Sequence, residues 1–521
     1  MKLNRRQLLQ LAAASAISQQ SWGAINTSPA IAGMPTDDYK AIVCVFLLGG
    51  NDSWNLLVPT ADEQKTGQGK GYQTYNKRRA DVAVKQTALD LPLNNGKLAI
   101  ATAGDNPYLA ANKIANNAAS YLKGVYPIDN HHWGINGCAP ELADLWRNNQ
   151  LAWTVNTGVL AQPITRSSLA STQKPLFLGA HNQQIRELAS ADALQKHKSG
   201  WAGRLADHWQ VGQKGGINNQ HLFGLNIAIG GSSPIIAAAN APELVLPAGK
   251  PLTMAGMSGN KANAEYMAEA WNQVLNAERR GLWQGLLSER NQNAYKLSAM
   301  LSERWNSTNN YKDISGSYGE PLFDLPEQGI VGLEQNIGSQ LTKKLETVAR
   351  LIEIGKQDGI KRQVFVVTLG GFDTHANQAD RHPLLIRELS IALGKFQKAM
   401  DAQQLAEQVT LFTQSDFGRT LSPNASGTDH AWGGNQLVMG GAVKAQVIGQ
   451  MPDLGETSED MVPDPRGRII PTLAAEQTTA ALLQWFGLGL KEIVDLLPLI
   501  TNFSGALFIE GLNCQDTLGA I

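Results

Sequence analysis

Three acidic residues stand directly after apolar, β-rich runs: Asp52 in GGNDSWN, Asp373 in TLGGFDTHANQ and Asp416 in TQSDFGRT. Two histidines accompany them, His375 two positions beyond Asp373 and His430 in GTDHAWGGN. Carboxylate and imidazole together are the ligand mixture for zinc, manganese or iron. Gathered by a fold, the five would build a paired-metal site with ions about 3.5–4 Å apart, able to polarise a phosphoryl or sulfuryl oxygen and stabilise a leaving group. Singly, each acid reads as well as a helix cap or turn former. The combination, in a chain with only nine histidines, is what points to a metal.

Other polar residues carry weaker signals. Arg419 in SDFGRT and Arg204 in GWAGRLAD could each grip an anionic oxygen bidentately, or form a structural salt bridge to a carboxylate at the sheet end. His181 in LGAHNQQ could reach the site or bind substrate. The adjacent His131 and His132 diverge if their segment is extended, which favours a loop or packing role over a shared ion. The tryptophans near the motifs, Trp54, Trp133, Trp201 and Trp432, read as buried residues with satisfied N–H groups more readily than as sugar platforms.

The elements that must position these residues alternate. Apolar runs at Ala41–Leu48, Leu151–Thr157, Leu222–Ile229, Gln363–Leu369 and Gln408–Thr413 read as strands covered on both faces. Helical patterns fall at Leu142–Asn148, Lys344–Lys356 and Leu384–Leu405, then at Ala474–Phe486 and Leu490–Leu497. This predicts an α/β fold, a mostly parallel sheet sandwiched by helices. In such sheets ligands collect at the carboxyl ends of the strands, where the three acids fall. Residues 262–341 show no convincing strand and read as a helical insertion, with a loop at Asn306–Leu325.

The chain has 521 residues, 43% of them apolar, enough for a substantial core. Lys and Arg number 44 against 45 Asp and Glu, so no global field gathers nucleic acid or anionic lipid. A nucleic-acid role is thereby disfavoured. Cys44, Cys138 and Cys514 are too few and scattered for a disulfide framework or thiolate metal site. Cys44 reads as a buried small hydrophobe, and a bond between Cys138 and Cys514 is open. No cysteine cluster or Gly-x-Gly-x-x-Gly strand–turn–helix is present to hold an iron–sulfur cluster or a dinucleotide.

The first residues differ in character: a basic stretch with Arg5 and Arg6, then an uncharged Leu8–Ile17 run. That is a signal-peptide layout, and the paired arginines resemble the twin-arginine export signal. The run is too short to span a bilayer, which takes about 20 residues. Residues 1–33 are therefore expected to be a removable signal, and 34–521 one large domain without a membrane span.

The twin-arginine start, FLLGGNDSWN, PLFLGAHNQQ, GWAGRLAD, TLGGFDTHANQ and FTQSDFGRT followed by HAWGGNQLVMGG together resemble the bacterial domain-of-unknown-function 1501 family. That family is placed by fold similarity in the alkaline phosphatase and sulfatase superfamily. The resemblance implies a two-metal site for phosphate or sulfate esters. Asp52 matches the first-strand metal acid, Asp373 with His375 the Asp-and-His pair, Asp416 the acid of a Ser-Asp-His motif, and His430 the late histidine. Phe417 is a departure, standing where many relatives carry a His or Asn ligand. One metal position is then short of a donor, leaving one ion or none. For the nucleophile the resemblance implies a hydroxyl at a helix start; Thr165 in VLAQPITRSS is the first candidate and Ser53 the second, with Arg419 beside them as the anion-gripping group. No Cys-x-Pro-x-Arg signature for formylglycine is present.

The expectation is thus a periplasmic or secreted hydrolase of phosphate or sulfate esters. It would use zinc or manganese, act on a small anionic ester, and meet the twin-arginine export machinery as its partner. The rival is a non-catalytic protein on the same scaffold, with a degenerate site serving binding or assembly of an exported complex.

Overall fold

The computed structural model describes residues 38–91, 93–98, 124–211, 215–249, 282–305, 311–316, 320–324, 339–503 and 509–512, with 266, 269, 270 and 273. The expected signal, Cys514 and much of the expected insertion lie outside them; from the insertion, a helix at Leu282–Trp305 is described.

A nine-stranded sheet forms the centre. In chain order its strands are β1 (Lys40–Leu48), β2 (Leu151–Gly158), β3 (Asn226–Ile229), β4 (Glu243–Leu246), β5 (Arg362–Gly370), β6 (Val409–Ser415), β7 (Gly434–Met439), β8 (Gln446–Ile448) and β9 (Leu473–Ala474). In space they lie in the order β8, β2, β7, β6, β1, β5, β3, β4, with β9 also pairing with β2. Every pairing is parallel except those of β7, which runs against both β6 and β2. The fold is therefore a mixed α/β structure with a large, mostly parallel sheet flanked by helices.

The continuous apolar character of β1 follows from burial on both faces. Ala41, Val43, Val45 and Leu47 enter a core with Leu142, Leu345 and Ile386, from the helices Pro140–Arg147, Gln340–Gln357 and Gln378–Ala402. Ile42, Cys44 and Phe46 point the other way, into a core with Trp201, Leu482 and Ile493 from Trp201–His208, Ala475–Phe486 and Leu490–Leu496. Each fully buried aliphatic or Phe side chain contributes roughly 1.5–3 kcal/mol.

The five expected strands all form, but the run at Leu222–Ile229 begins its strand only at Asn226. Residues before it are turned, with Gly224 N–H donating to the His221 carbonyl. The short edge strands and β7 were not among the expected strands; β7 lies between the glycine pairs of GGNQLVMGG and pairs with β6 and β2.

Glu476, the second residue of the helix Ala475–Phe486, is only 2% exposed. Burial pushes this carboxyl up to about 8, with Asp192 and Glu187 adding repulsion. Glu187 is likewise pushed up, to about 7, chiefly by burial. A folded-state value above the ordinary 4.5 means that the folded chain holds the proton longer than the unfolded one. Stability due to Glu476 is thus full at low pH and falls as pH rises from about 4.5 towards 8. Glu476→Gln should gain on wild type over that window, by up to about 1 kcal/mol per pH unit, and match it below pH 4. Melting temperatures of the two proteins across pH decide the matter; a constant difference would refute the assignment.

Candidate metal centre

β1 lies between β5 and β6, with Leu47 level with Leu369 on one side and Ser415 on the other. The three carboxyl ends therefore open together, and the segments after them meet. Gly49 and Gly50 turn the chain out of β1 at φ 113° and 77°. A side chain at Gly49 would collide with the backbone of Asp373, and one at Gly50 with the Phe417 ring. The glycines are what let the loops close this tightly.

Asp373 is the hub. Its Oδ1 accepts from Arg419 Nη2 at 2.6 Å and lies 3.1 Å from His375 Nε2 and 3.2 Å from His430 Nε2. Its Oδ2 lies 3.7 Å from His181 Nε2. His375 Nε2 and His430 Nε2 are 2.8 Å apart. Burial would raise the Asp373 carboxyl, but the hydrogen bond from Arg419 and the Arg419 charge outweigh it and hold the group at about 2. It is a carboxylate at any physiological pH, and it is about half exposed.

The remaining nitrogens decide the tautomers. His430 Nδ1 faces the Gly179 carbonyl at 2.8 Å; a carbonyl only accepts, so Nδ1 carries the proton. His375 Nδ1 lies 3.0 Å from Asp429 Oδ1, which also accepts from Asn424 at 3.1 Å. Burial opposes ionisation of Asp429, yet these hydrogen bonds hold it below the usual carboxylate range. His181 Nδ1 lies 2.6 Å from Asp416 Oδ2. Each ring thus places its proton on Nδ1 against an oxygen and turns the Nε2 lone pair towards Asp373. His430 is held below its ordinary value, first by burial, and is neutral at pH 7.

Two imidazole Nε2 atoms facing each other at 2.8 Å repel unless a proton or a metal cation lies between them. The donor set therefore fits a metal ion. His181, Asp373 and His430 offer ligand atoms all within 4.8 Å of one another, and His375 adjoins two of them.

Of the five expected ligands, Asp373, His375 and His430 come together. Asp416 reaches the cluster only through His181; it is 2% exposed and accepts the Gly49 N–H as well. Burial raises its carboxyl above the ordinary value, opposed by the His181 and Gly49 hydrogen bonds. Asp52 is elsewhere: its fully buried carboxylate is ion-paired with Arg79, from the helix Tyr72–Arg79, and accepts from Gln378.

The hydroxyl candidates also stand apart from their expected role. Thr165 begins no helix; it is exposed just before a turn, bonding to Ser167 and Ser168. Ser53 is fully buried, its Oγ accepting the Asn435 N–H at 2.7 Å. Arg419 has no free edge for an anion. Besides Asp373 it donates to the carbonyls of Gly49, Gly50, Phe372 and Thr428, so it ties the three loops and positions Asp373. Arg204 is similarly spent on the carbonyls of Ser190, Ser199 and Leu496, not on a carboxylate. His132 is exposed in a turn, and Trp54, Trp133, Trp201 and Trp432 are buried.

His181 and Asp429 complete the site. His181 opens the helix His181–Ser190, after a loop held by Gln184, which accepts the Gly179 N–H at 2.5 Å, and by Glu187, which accepts the Leu176 N–H. Asp429 is carried in by backbone pairing of Arg419 with His430, and its position next to His430 was the available signal. Phe417 packs its ring 4.8 Å from His181 and 4.5 Å from His430, walling the cluster.

Asp416→Asn should keep the fold but lose the charged acceptor that fixes His181. Ion affinity should then fall by about 10–100-fold, read by competition with a chromogenic chelator. An unchanged affinity would remove His181 from the ligand set.

Fold and site together define an α/β protein with an imidazole–carboxylate cluster at the carboxyl end of a parallel sheet. Residues 337–466 match the family described as "Protein of unknown function (DUF1501)", which the sequence motifs resemble. That segment carries Asp373, His375, Asp416, Arg419, Asp429 and His430, whereas His181 lies outside it. No curated protein matches the chain. Among solved structures, a protein in the alkaline phosphatase superfamily from Vibrio parahaemolyticus aligns at 9% identity and TM-score 0.32, over 94% of this chain and 76% of that one.

Proposed function

We propose that this protein is an exported, metal-dependent hydrolase of small phosphate or sulfate esters. The observation that carries the reading is the convergence of three Nε2 atoms on one ionised, half-exposed carboxylate, at the carboxyl ends of the central strands where ligands of such folds collect. Zinc or manganese bound there would supply Lewis acidity towards an ester oxygen and towards water. Asp373 and the imidazoles hold the ion. Arg419 fixes Asp373, and Asp416, Asp429 and the Gly179 carbonyl fix the rings. Because neither Ser53 nor Thr165 faces the cluster, the attacking group in this reading is water.

The same placement favours a second reading, a cation-binding protein without turnover. Purified protein supplied with zinc or manganese and tested on aryl phosphates, phosphodiesters and aryl sulfates separates the two. Ion-dependent release of the aryl alcohol supports the hydrolase, and bound ion with no turnover on any class supports the alternative. Export rests on Arg5 and Arg6 before the apolar run. Changing both to Lys in a fusion of residues 1–33 to a reporter should block secretion; undiminished secretion would exclude the twin-arginine route.

A further inference from the structure

The geometry points to a centre for one ion rather than two: a single divalent transition metal held by the Nε2 atoms of His181, His375 and His430 and by the Asp373 carboxylate. The inference rests on the metal reading of this cluster, though not on its being a hydrolase.

The donors around Asp373 are spaced for one ion, with His181, Asp373 and His430 mutually within 4.8 Å and His375 adjoining two of them. A tetrahedral zinc with bonds of about 2.0–2.1 Å has ligand atoms about 3.3 Å apart. His375 Nε2, His430 Nε2 and Asp373 Oδ1 lie 2.8, 3.1 and 3.2 Å from one another, close to that edge, and His181 Nε2 stands 3.7 Å from the other carboxylate oxygen, Oδ2. The tautomers match too, since each Nδ1 proton is already committed to Asp416, Asp429 or the Gly179 carbonyl. Mixed imidazole and carboxylate donors select zinc or a neighbouring first-row ion over calcium or magnesium.

A second ion would need carboxylates that are otherwise engaged. Asp52 is fully buried against the Arg79 guanidinium, itself fully buried, so a permanent organic cation already neutralises it. Asp416 is taken by His181 and the Gly49 N–H. The Phe417 ring fills the space beside His181 and His430 and offers no lone pair. Among the described residues, no separate gathering of His, Cys, Asp or Glu could take another ion.

The test is cobalt(II) titration of the full-length, metal-stripped protein, followed by its visible absorption and by elemental analysis after desalting. One cobalt per chain is expected, with the intense visible bands of a low-coordinate nitrogen–oxygen site. His375→Ala should weaken those bands and lower affinity by more than about a hundredfold, beyond what losing an orienting partner costs. His375→Gln, closer in shape, guards against a folding defect, with far-ultraviolet circular dichroism as the control. Two cobalt ions per chain would overturn the single-ion assignment while leaving the metal reading intact. Unchanged bands and affinity in both His375 variants would overturn the fourth ligand. No bound cobalt would overturn this inference and the metal reading together. One tight ion with no ester turnover would uphold it and defeat only the hydrolase.

Discussion

Asp373→Ala should abolish ion binding while leaving the protein folded. The carboxylate is the hub on which all three Nε2 atoms converge, and without it the rings present lone pairs with no anion to offset an arriving charge. The fold should survive because Asp373 is half exposed and Arg419 keeps its four carbonyl partners. The readout is thermal unfolding with and without zinc. A ligand bound only by the folded state adds about 2.7 kcal/mol at a hundredfold excess over Kd. Wild type should show a gain of that order and the variant none. A variant that kept its ion-dependent gain would mean that the ion sits elsewhere.

Arg79→Met should cause the largest loss of stability, about 3–5 kcal/mol. The substitution keeps the aliphatic volume of the side chain but strips the counter-charge from Asp52, which has no exposure to water. Arg79 also donates to the Thr420 carbonyl at 3.1 Å, and that bond is lost as well. Urea unfolding of Arg79→Met, Asp52→Asn and the double variant closes a thermodynamic cycle. The double variant should be more stable than Arg79→Met alone, because no buried charge remains unpaired. Strict additivity would show that the pair is not coupled and that Asp52 finds compensation elsewhere.

Much of this protein was legible from residue order. β1, β5 and β6 are apolar because both faces are covered, and each gives way to glycine or serine and then an acid, so Asp373 and Asp416 were found from pattern alone. What pattern does not encode is which way a strand-end side chain turns. Asp52 and Asp373 follow similar motifs, but one folds inward onto Arg79 and the other faces the imidazoles. The deciding partner, Arg79, sits in a short polar helix with nothing in its neighbours to mark it. His181 was hard to place for another reason: its approach depends on the loop before it, pinned by Gln184 and Glu187 from its own helix. Short-range spacing gives no warning of that.

The central place of β1 has a consequence for synthesis. Lys40–Leu48 leaves the ribosome early, yet the strands that flank it are Arg362–Gly370 and Val409–Ser415. At about 5–20 residues per second, its two edges stay without a mate for roughly 20–70 s. Through that interval a strand of nine residues, almost wholly apolar, is open to pairing with any other chain. A polypeptide halted before residue 362 can bury it against neither partner, so the first 361 residues have no route to a native state of their own.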